Sequence, residues 1–121
     1  MRLTISAVDY APEELHAQTP FEVELLRMLP GPDRPDYWLG SLATPLLWKH
    51  DGSNHQITHV VLAARWVGTQ IGREQQLPVG IAYVTDRTIL EDARVDFRKC
   101  SYVAIGMAQQ HRAKPRWQFW K

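Results

Sequence analysis

Histidine is the residue type in this sequence whose spacing comes nearest to a metal site. Three of the five histidines, His50, His55 and His59, lie around an Asp51-Gly52 pair. On an extended strand, residues four apart point the same way but lie roughly 13 Å from each other, which is too far for His55 and His59 to bind one metal ion. No cysteine pair or helical histidine motif strengthens the cluster. The sequence therefore predicts no metal site and no cofactor, and it assigns these histidines to a solvated turn.

Cys100 is the single cysteine and the only candidate for a thiol nucleophile. Arg98 and Lys99 precede it, and adjacent cations lower the pKa of a thiol. The residues around it are typical of the start of a strand, where cysteine is more often a small buried apolar side chain. We therefore predict a buried, unreactive thiol and no catalytic residue, and the sequence favours a protein that is not an enzyme.

Aromatic and basic residues near strand ends offer a second type of site. If Asp51 and Gly52 form the turn of a hairpin, Trp38 lies opposite Arg65, and a guanidinium stacked on an indole stabilises by about 0.5 to 2 kcal/mol. Such a pair either seals the end of a sheet or clamps an anionic ligand. A small-molecule or enzymatic pocket on the sheet is thus the alternative function, with four candidate ligand-binding residues: Trp38, Arg65, Tyr83 and Tyr102.

Bases and aromatic residues interleave in residues 111–121, which include Arg116, Trp117, Phe119 and Trp120. These four are the candidate partner-binding residues. Such a segment can dock on the protein itself, bind a protein partner or a second copy, follow a phosphate backbone, or lie in a membrane interface. Burial of Trp117 and Phe119 would stabilise the fold by about 1.5 to 3 kcal/mol each, which favours docking. Protein partners and self-association come next, and nucleic acid and membranes are disfavoured.

A long hairpin over residues 37–67 is the element that must position most of these candidates. Its two strands are apolar on both faces, and an Asp-Gly connection is a strong hairpin signal. The turn sets Leu46 opposite Ile57 and Leu42 opposite Val61, and all four are predicted to be buried. Because both faces are apolar, the pattern defines this register only weakly.

Pro45 lies inside the first hairpin strand and lacks the N–H that a central ladder uses. The sequence therefore predicts a bulge there, or an edge along that side. Residues 2–8, 79–85 and 101–108 are predicted as further strands. Small residues in the last two, among them Gly80 and Ala82, indicate that something packs closely against them.

Two helices complete the predicted fold. Over residues 20–29 a Thr-Pro pair resembles a helix start, and Phe21, Leu25 and Met28 recur at three- and four-residue intervals. Over residues 87–93, Asp86 is a candidate cap. The predicted class is α+β: an antiparallel sheet of four to five strands built on the central hairpin, with the amphipathic helix on one face and the second, short helix elsewhere.

Composition indicates one globular domain over residues 1–121, with 45% hydrophobic and 22% charged residues and a formal charge of +1. The charge is uneven, since residues 97–121 hold six bases and no acid. A lone cysteine, no leader and no apolar run of roughly 18 residues predict a cytoplasmic protein. Because no catalytic, metal or nucleotide signature is present, the leading hypothesis is a non-catalytic binding or protein-interaction module.

Overall fold

The chain folds into a closed antiparallel barrel. The computed structural model describes residues 2–9, 13–50, 52–69, 71 and 76–110, apart from the side chains of residues 7, 8, 50, 102 and 110. Each strand pairs with the next in the sequence, and the last pairs with the first. The six strands are β1 (Arg2–Asp9), β2 (Phe21–Leu29), β3 (Tyr37–His50), β4 (Ser53–Ala64), β5 (Leu77–Val84) and β6 (Cys100–Gln110).

The predicted α+β class is therefore wrong, and so is the open sheet of four to five strands. Closure depends on the pairing of β1 with β6, in which Leu3 lies opposite Gln110 and Ile5 opposite Ala108. These partners stand at opposite ends of the sequence. Local patterns predict strands but carry no signal for such distant pairing.

The predicted amphipathic helix over 20–29 is strand β2. Phe21, Val23 and Leu25 are buried at every second position, whereas Leu26 and Met28 are about half exposed. The apolar residues of this segment satisfy a period of two as well as the helical period, and pairing with β1 and β3 favours the strand. The helical prediction was wrong because tertiary pairing overrides a local pattern that fits both periods.

The predicted short helix over 87–93 is a 3-10 helix, Arg87–Glu91. Asp86 caps it as expected, since its carboxylate accepts hydrogen bonds from the backbone N–H and hydroxyl of Thr88 at 3.0 and 2.8 Å. A second 3-10 helix, Phe97–Lys99, leads into β6. In the described residues the α-helix is α1 (Glu13–His16), which contributes the buried Leu15.

The hairpin is confirmed, but half of its predicted register is wrong. Leu46 lies opposite Ile57 as expected, and the register then shifts between Ser41 and Leu46, the interval that contains Pro45. Beyond the shift Leu39, rather than Leu42, lies opposite Val61. The four residues predicted to be buried, Leu42, Leu46, Ile57 and Val61, are all buried.

The barrel interior is filled by side chains. Along β5, Val79, Ile81 and Tyr83 point inward and have no exposed surface. They pack with Val60 and Leu62 of β4 and with apolar side chains of the other strands and of α1. A small closed barrel is expected to be packed in this way, since its lumen is only wide enough for side chains.

A second apolar cluster lies on the outside of the barrel. The segment over residues 85–99 crosses the outer face and places the buried Ile89 and Val95 over outward-pointing side chains of four strands. We call this part of the surface the covered face. Its strand residues are Leu29, Leu39, Val61, Ala82 and Val84.

Polar anchors fix the segment 85–99 in place. The Arg27 guanidinium donates to the carbonyl oxygens of Leu90 and Asp92, both at 2.8 Å. Lys99 forms an ion pair with Asp92 at 2.7 Å, and the Val95 N–H donates to the Pro30 carbonyl at 2.9 Å. In the part of the chain that the structure describes, no helix has the length and apolar character needed to cross a membrane.

Candidate functional site

The residues predicted to bind a ligand do not converge on one place. Trp38 is half-buried against the inner core, and Tyr83 lies fully inside the barrel. Arg65 is exposed just beyond β4, and its guanidinium carbon lies 4.9 Å from the centre of the Trp66 ring. Trp38 lies opposite Leu62, so the register that set it against Arg65 is wrong. Tyr102 lies on β6, and its side chain is outside the described residues.

Arg65 nevertheless lines a groove on the outer face of β4, β5 and β6, which we call the outer groove. Its floor is made of small side chains in two neighbouring rows across the strands. In one row Gly80 stands between Ala63 and Ile105, and in the next Ala82 stands between Val61 and Val103. Because alternate strand residues point to opposite faces, this outer floor lies back to back with the inner core.

Large side chains form the two walls of the outer groove. On one side, Val103 and Ile105 of β6 are 62% and 48% exposed. On the other, Tyr37 and Phe97 meet edge to face, with ring centroids 5.3 Å apart and planes at 75°. Between them lies a cavity of about 660 Å³, which falls within the range of ordinary ligand and peptide sites.

An ion pair positions the aromatic wall. Arg34 and Asp36 form a two-pronged hydrogen-bonded pair at 2.6 and 2.8 Å. Arg34 also donates to the carbonyl of Ala64 at 2.7 Å, and Asp36 accepts from the N–H of Gly68 at 2.9 Å. The pair thus ties the connector before β3 to the end of β4. The hydrogen bond from Arg34, and to a lesser extent the one from Gly68, lowers the pKa of Asp36 to about 2.

The rim of the outer groove carries polar side chains, one of which is a tyrosine with a raised pKa. The Tyr37 hydroxyl donates to Asp33 at 2.7 Å, and burial, followed by this hydrogen bond, raises the pKa of Tyr37 to about 12. Tyr37 therefore remains a neutral phenol that donates a hydrogen bond to Asp33. Besides Tyr37, the rim carries Asp33, Arg34 and Arg65. Charges of both signs therefore lie beside the apolar floor.

A second cleft, of about 740 Å³, lies between α1 and the tip of the β3–β4 hairpin. Here the Gln18 amide exchanges two hydrogen bonds with the backbone of Leu47, at 2.7 and 2.9 Å. The Glu14 carboxylate accepts from the N–H of Lys49. These side chains satisfy backbone groups of β3 beyond the part that pairs with β2, so the contacts at this cleft protect a strand edge.

Residues considered for catalysis lie away from the outer groove. Burial, followed by the charge of Asp96, raises the pKa of the half-buried Cys100 thiol to about 12, which makes it a poor nucleophile. Burial and the charge of Arg87 lower the pKa of His59. Among the described residues no three metal-binding side chains come together. Arg116, Trp117, Phe119 and Trp120 lie outside the described residues.

Sequence reasoning found part of the outer groove and missed the rest. It singled out Arg65. It also interpreted Gly80 and Ala82 as signs that something packs closely against them, which holds for the buried Ala82 but not for Gly80, which lies on the open floor. It did not identify Arg34, Tyr37 or Phe97. Tyr37 and Phe97 come from distant parts of the sequence and meet only because the segment 85–99 folds back over the barrel.

Comparisons of the chain with protein-family models, with curated proteins and with solved structures found no match.

Proposed function

We propose that this protein is a non-catalytic binding module that takes an extended apolar segment of a partner protein into the outer groove. The observation that carries the proposal is the pair of exposed β-branched side chains, Val103 and Ile105, facing the rings of Tyr37 and Phe97 across a floor of small residues. Exposed apolar surface of this kind, with a polar rim, is typical of interaction sites.

The extent of the apolar surface favours a protein segment over a small molecule. Beyond Arg65, at one end of the outer groove, Trp66 and Val67 are 66% and 62% exposed. The Arg65 side chain lies over the Trp66 ring and links this surface to the groove. An extended peptide places side chains on alternate sides at a regular spacing, so it can fill the groove and also contact Trp66.

The alternative, a small-molecule or enzymatic pocket around Trp38, Arg65, Tyr83 and Tyr102, has less support. Trp38 and Tyr83 contribute to the packed interior, whereas Arg65 lies outside the barrel. A protein partner or a second copy of the chain fits the proposal better than nucleic acid does, because the floor and both walls of the groove are apolar. A cytoplasmic location is part of the proposal and is supported by Cys100, a free cysteine.

Gly80 offers a direct test of the proposal. A Cβ atom built on Gly80 has the Ala63 carbonyl oxygen as its nearest neighbour, at 3.9 Å, an ordinary contact. A Gly80→Val variant should therefore fold and fill the floor of the groove. The matched control is Leu26→Ser, which removes a half-exposed apolar side chain from β2, outside the groove.

The probe is a displayed library of random linear peptides selected against the full chain. The expected result is enrichment of peptides rich in aliphatic and aromatic residues, with dissociation constants of about 1–100 μM, equivalent to about −8 to −5 kcal/mol. Gly80→Val should weaken their binding at least ten-fold, and Leu26→Ser should leave it unchanged. Failure to enrich peptides, or equal binding to the Gly80→Val variant, would count against the proposal.

A further inference from the structure

We infer that Arg65 binds an acidic side chain of the partner segment, two residues along that segment from an apolar side chain that lies over Gly80. This inference rests on the proposed function, because it names the chemistry of the segment that the same groove binds. Three observations support it: the spacing of the rows on the groove floor, the stacked guanidinium of Arg65, and the distribution of charges along the rim.

The outward-pointing residues of β4, β5 and β6 form rows across the outer groove, and Arg65 belongs to the row at one end. Gly80 lies opposite Ile105 in one row. In the next, the Arg65 N–H donates to the Pro78 carbonyl at 3.1 Å, and Pro78 lies opposite Met107. The rows are two residues apart, about 6.6 Å, which is also the repeat of an extended segment. A segment along the strands with one side chain over Gly80 therefore places its next same-facing side chain at Arg65.

The Arg65 guanidinium is exposed and lies against an aromatic ring. Its carbon is 4.9 Å from the centre of the Trp66 ring. In the described part of the chain, no carboxylate forms an ion pair with Arg65. A ring restrains a guanidinium through its face and leaves the N–H donors at its edge, which can form two parallel hydrogen bonds to a carboxylate. Arg65 is thus arranged to bind a carboxylate from outside.

Arg34, the other basic residue of the rim, already has its partners. Two of its nitrogens donate to Asp36 at 2.6 and 2.8 Å, and the third donates to the Ala64 carbonyl at 2.7 Å. Its side chain is 11% exposed, and the charge of Asp36 balances its own. Of the two arginines that line the groove, Arg65 is therefore the one available to a partner.

The acids beside the groove restrict where an acidic side chain of the partner can lie. Asp33 lines one wall, and the exposed Asp9 lies opposite Ile105 on the other. Because Ile105 shares its row with Gly80, an acidic side chain over Gly80 would be repelled by Asp9. One row further, the same side chain meets the positive charge of Arg65. The charges therefore set the register of the segment, with the acid at Arg65.

The carboxylate belongs to a side chain within the segment rather than to the end of a chain. Beyond Arg65, Trp66 and Val67 are 66% and 62% exposed, so apolar surface continues past the guanidinium. A segment that covers this surface must pass Arg65 and continue, which a C-terminal carboxylate does not allow. We therefore expect an aspartate or glutamate with an apolar residue two positions away and further apolar residues on its other side.

The first experiment compares the peptides that a displayed library of random sequences enriches on the wild-type, Arg65→Glu and Arg87→Glu chains. The wild-type chain should enrich an acidic residue two positions from an aliphatic or aromatic one. Arg65→Glu should replace the acid by Lys or Arg and keep the apolar residue. Arg87→Glu is the control, because it makes the same change of net charge at an exposed arginine outside the groove, and it should keep the acid. Enrichment without an acid, an acid that persists in Arg65→Glu, or one that Arg87→Glu also replaces would overturn the inference.

The second experiment measures the contribution of the carboxylate. One enriched peptide is synthesised with Glu and with Gln at the predicted position, and both peptides are amidated at the C-terminus. The wild-type chain should bind the Glu peptide about three- to ten-fold more tightly, and salt should reduce the difference. Arg65→Gln should bind the two equally. A preference for Glu that survives in Arg65→Gln contradicts the inference, and so does binding that requires a free C-terminus.

These outcomes separate the inference from the proposed function. Peptides that lose binding in Gly80→Val but show no preference for an acid would leave the proposed function standing and overturn the inference. If no peptide is enriched, or if Gly80→Val binds as the wild-type chain does, both fail, because the acid then has no segment in the groove to carry it. Peptide affinity that falls as the protein concentration rises would mean that a second copy occupies the groove, and the inference would again be wrong.

Discussion

The covered face and the outer groove are neighbouring parts of the same barrel surface that meet at Val61 and Ala82, and both are built from apolar side chains that point outward. Over the covered face, Ile89 and Val95 of the folded segment 85–99 are 0% and 7% exposed. Along the outer groove, Val103 and Ile105 remain 62% and 48% exposed. A barrel with apolar residues on its outside must cover them or leave them available, and this protein does each in a different place.

The difference shows which contacts are structural. The segment over the covered face is held by the Arg27 hydrogen bonds and the Lys99–Asp92 ion pair, so its apolar contacts belong to the fold. The aromatic wall of the groove is also held, by Arg34 and Asp36. The groove is thus a shaped and anchored surface, and we expect its exposed apolar side chains to contribute little to the free energy of unfolding, as the proposed binding role requires.

The largest expected effect comes from a matched pair of truncations. Ile89→Ala should lower the free energy of unfolding by about 2–5 kcal/mol, because it opens a cavity in a fully buried cluster. Ile105→Ala should change it by no more than about 0.5 kcal/mol, as for most exposed positions. Urea unfolding of the two variants measures both. Similar losses would break the distinction between the covered face and the groove.

A second effect concerns the anchor of the aromatic wall. The pKa of Asp36 is lowered from 3.8 to about 2, and its side chain is only 16% exposed. The lowered pKa stabilises the folded protein above about pH 3.8, and this contribution is lost as the pH falls toward 2. Solvent screening limits the contribution to about 1–2 kcal/mol. Other acids titrate in the same range, so the measurement is the difference between the wild-type and Asp36→Asn proteins. We expect the difference in the free energy of unfolding to vanish as the pH approaches 2. A difference that stays constant across the pH range would show that ionisation of Asp36 does not stabilise the fold.

A third effect tests the interior directly behind the groove floor. The Tyr83 hydroxyl is buried and finds no hydrogen-bond partner among the described residues, and burial raises the pKa of Tyr83 to about 12. An unsatisfied buried hydroxyl is costly, so Tyr83→Phe should leave stability unchanged or raise it by up to about 1 kcal/mol. Tyr83→Leu, which also removes volume, is the control and should destabilise. Thermal unfolding at neutral pH measures the stability of both variants. A marked loss of stability in Tyr83→Phe would mean that the hydroxyl has a hydrogen-bond partner.

The smallest effect lies at the border of the covered face. His59, beside Thr58 at 2.8 Å, has a pKa lowered by burial and by the charge of Arg87. The unfolded chain then binds a proton more readily than the folded one, so stability should decline as the pH falls through the ordinary value of 6.5 and into the lowered range. His59→Gln should remove this part of the pH dependence, and Arg87→Gln should reduce it. Stability profiles between neutral and mildly acidic pH that coincide for all three proteins would exclude the effect.

The sequence alone determined those features of the barrel that depend on neighbouring residues. The hairpin over β3 and β4 follows from its Asp-Gly connection, in which Gly52 has a φ of 77°, and from two apolar strands that pair Leu46 with Ile57. The predicted strands over 79–85 and 101–108 match β5 and β6 within a few residues. Asp86 was identified as a cap for the same reason, since a carboxylate that binds the N–H two residues later is a local interaction.

Only the tertiary structure decided the fold class and the groove. The apolar residues of 21–29 fit both a helix and a strand, and pairing with β1 and β3 made them a strand. Likewise, Val61 and Val103 both point outward from a strand and have the same local pattern, although Val61 is buried and Val103 is exposed. The physical reason is that exposure depends on what a distant segment covers: residues 85–99 fold over one part of the barrel and leave the floor around Gly80 open.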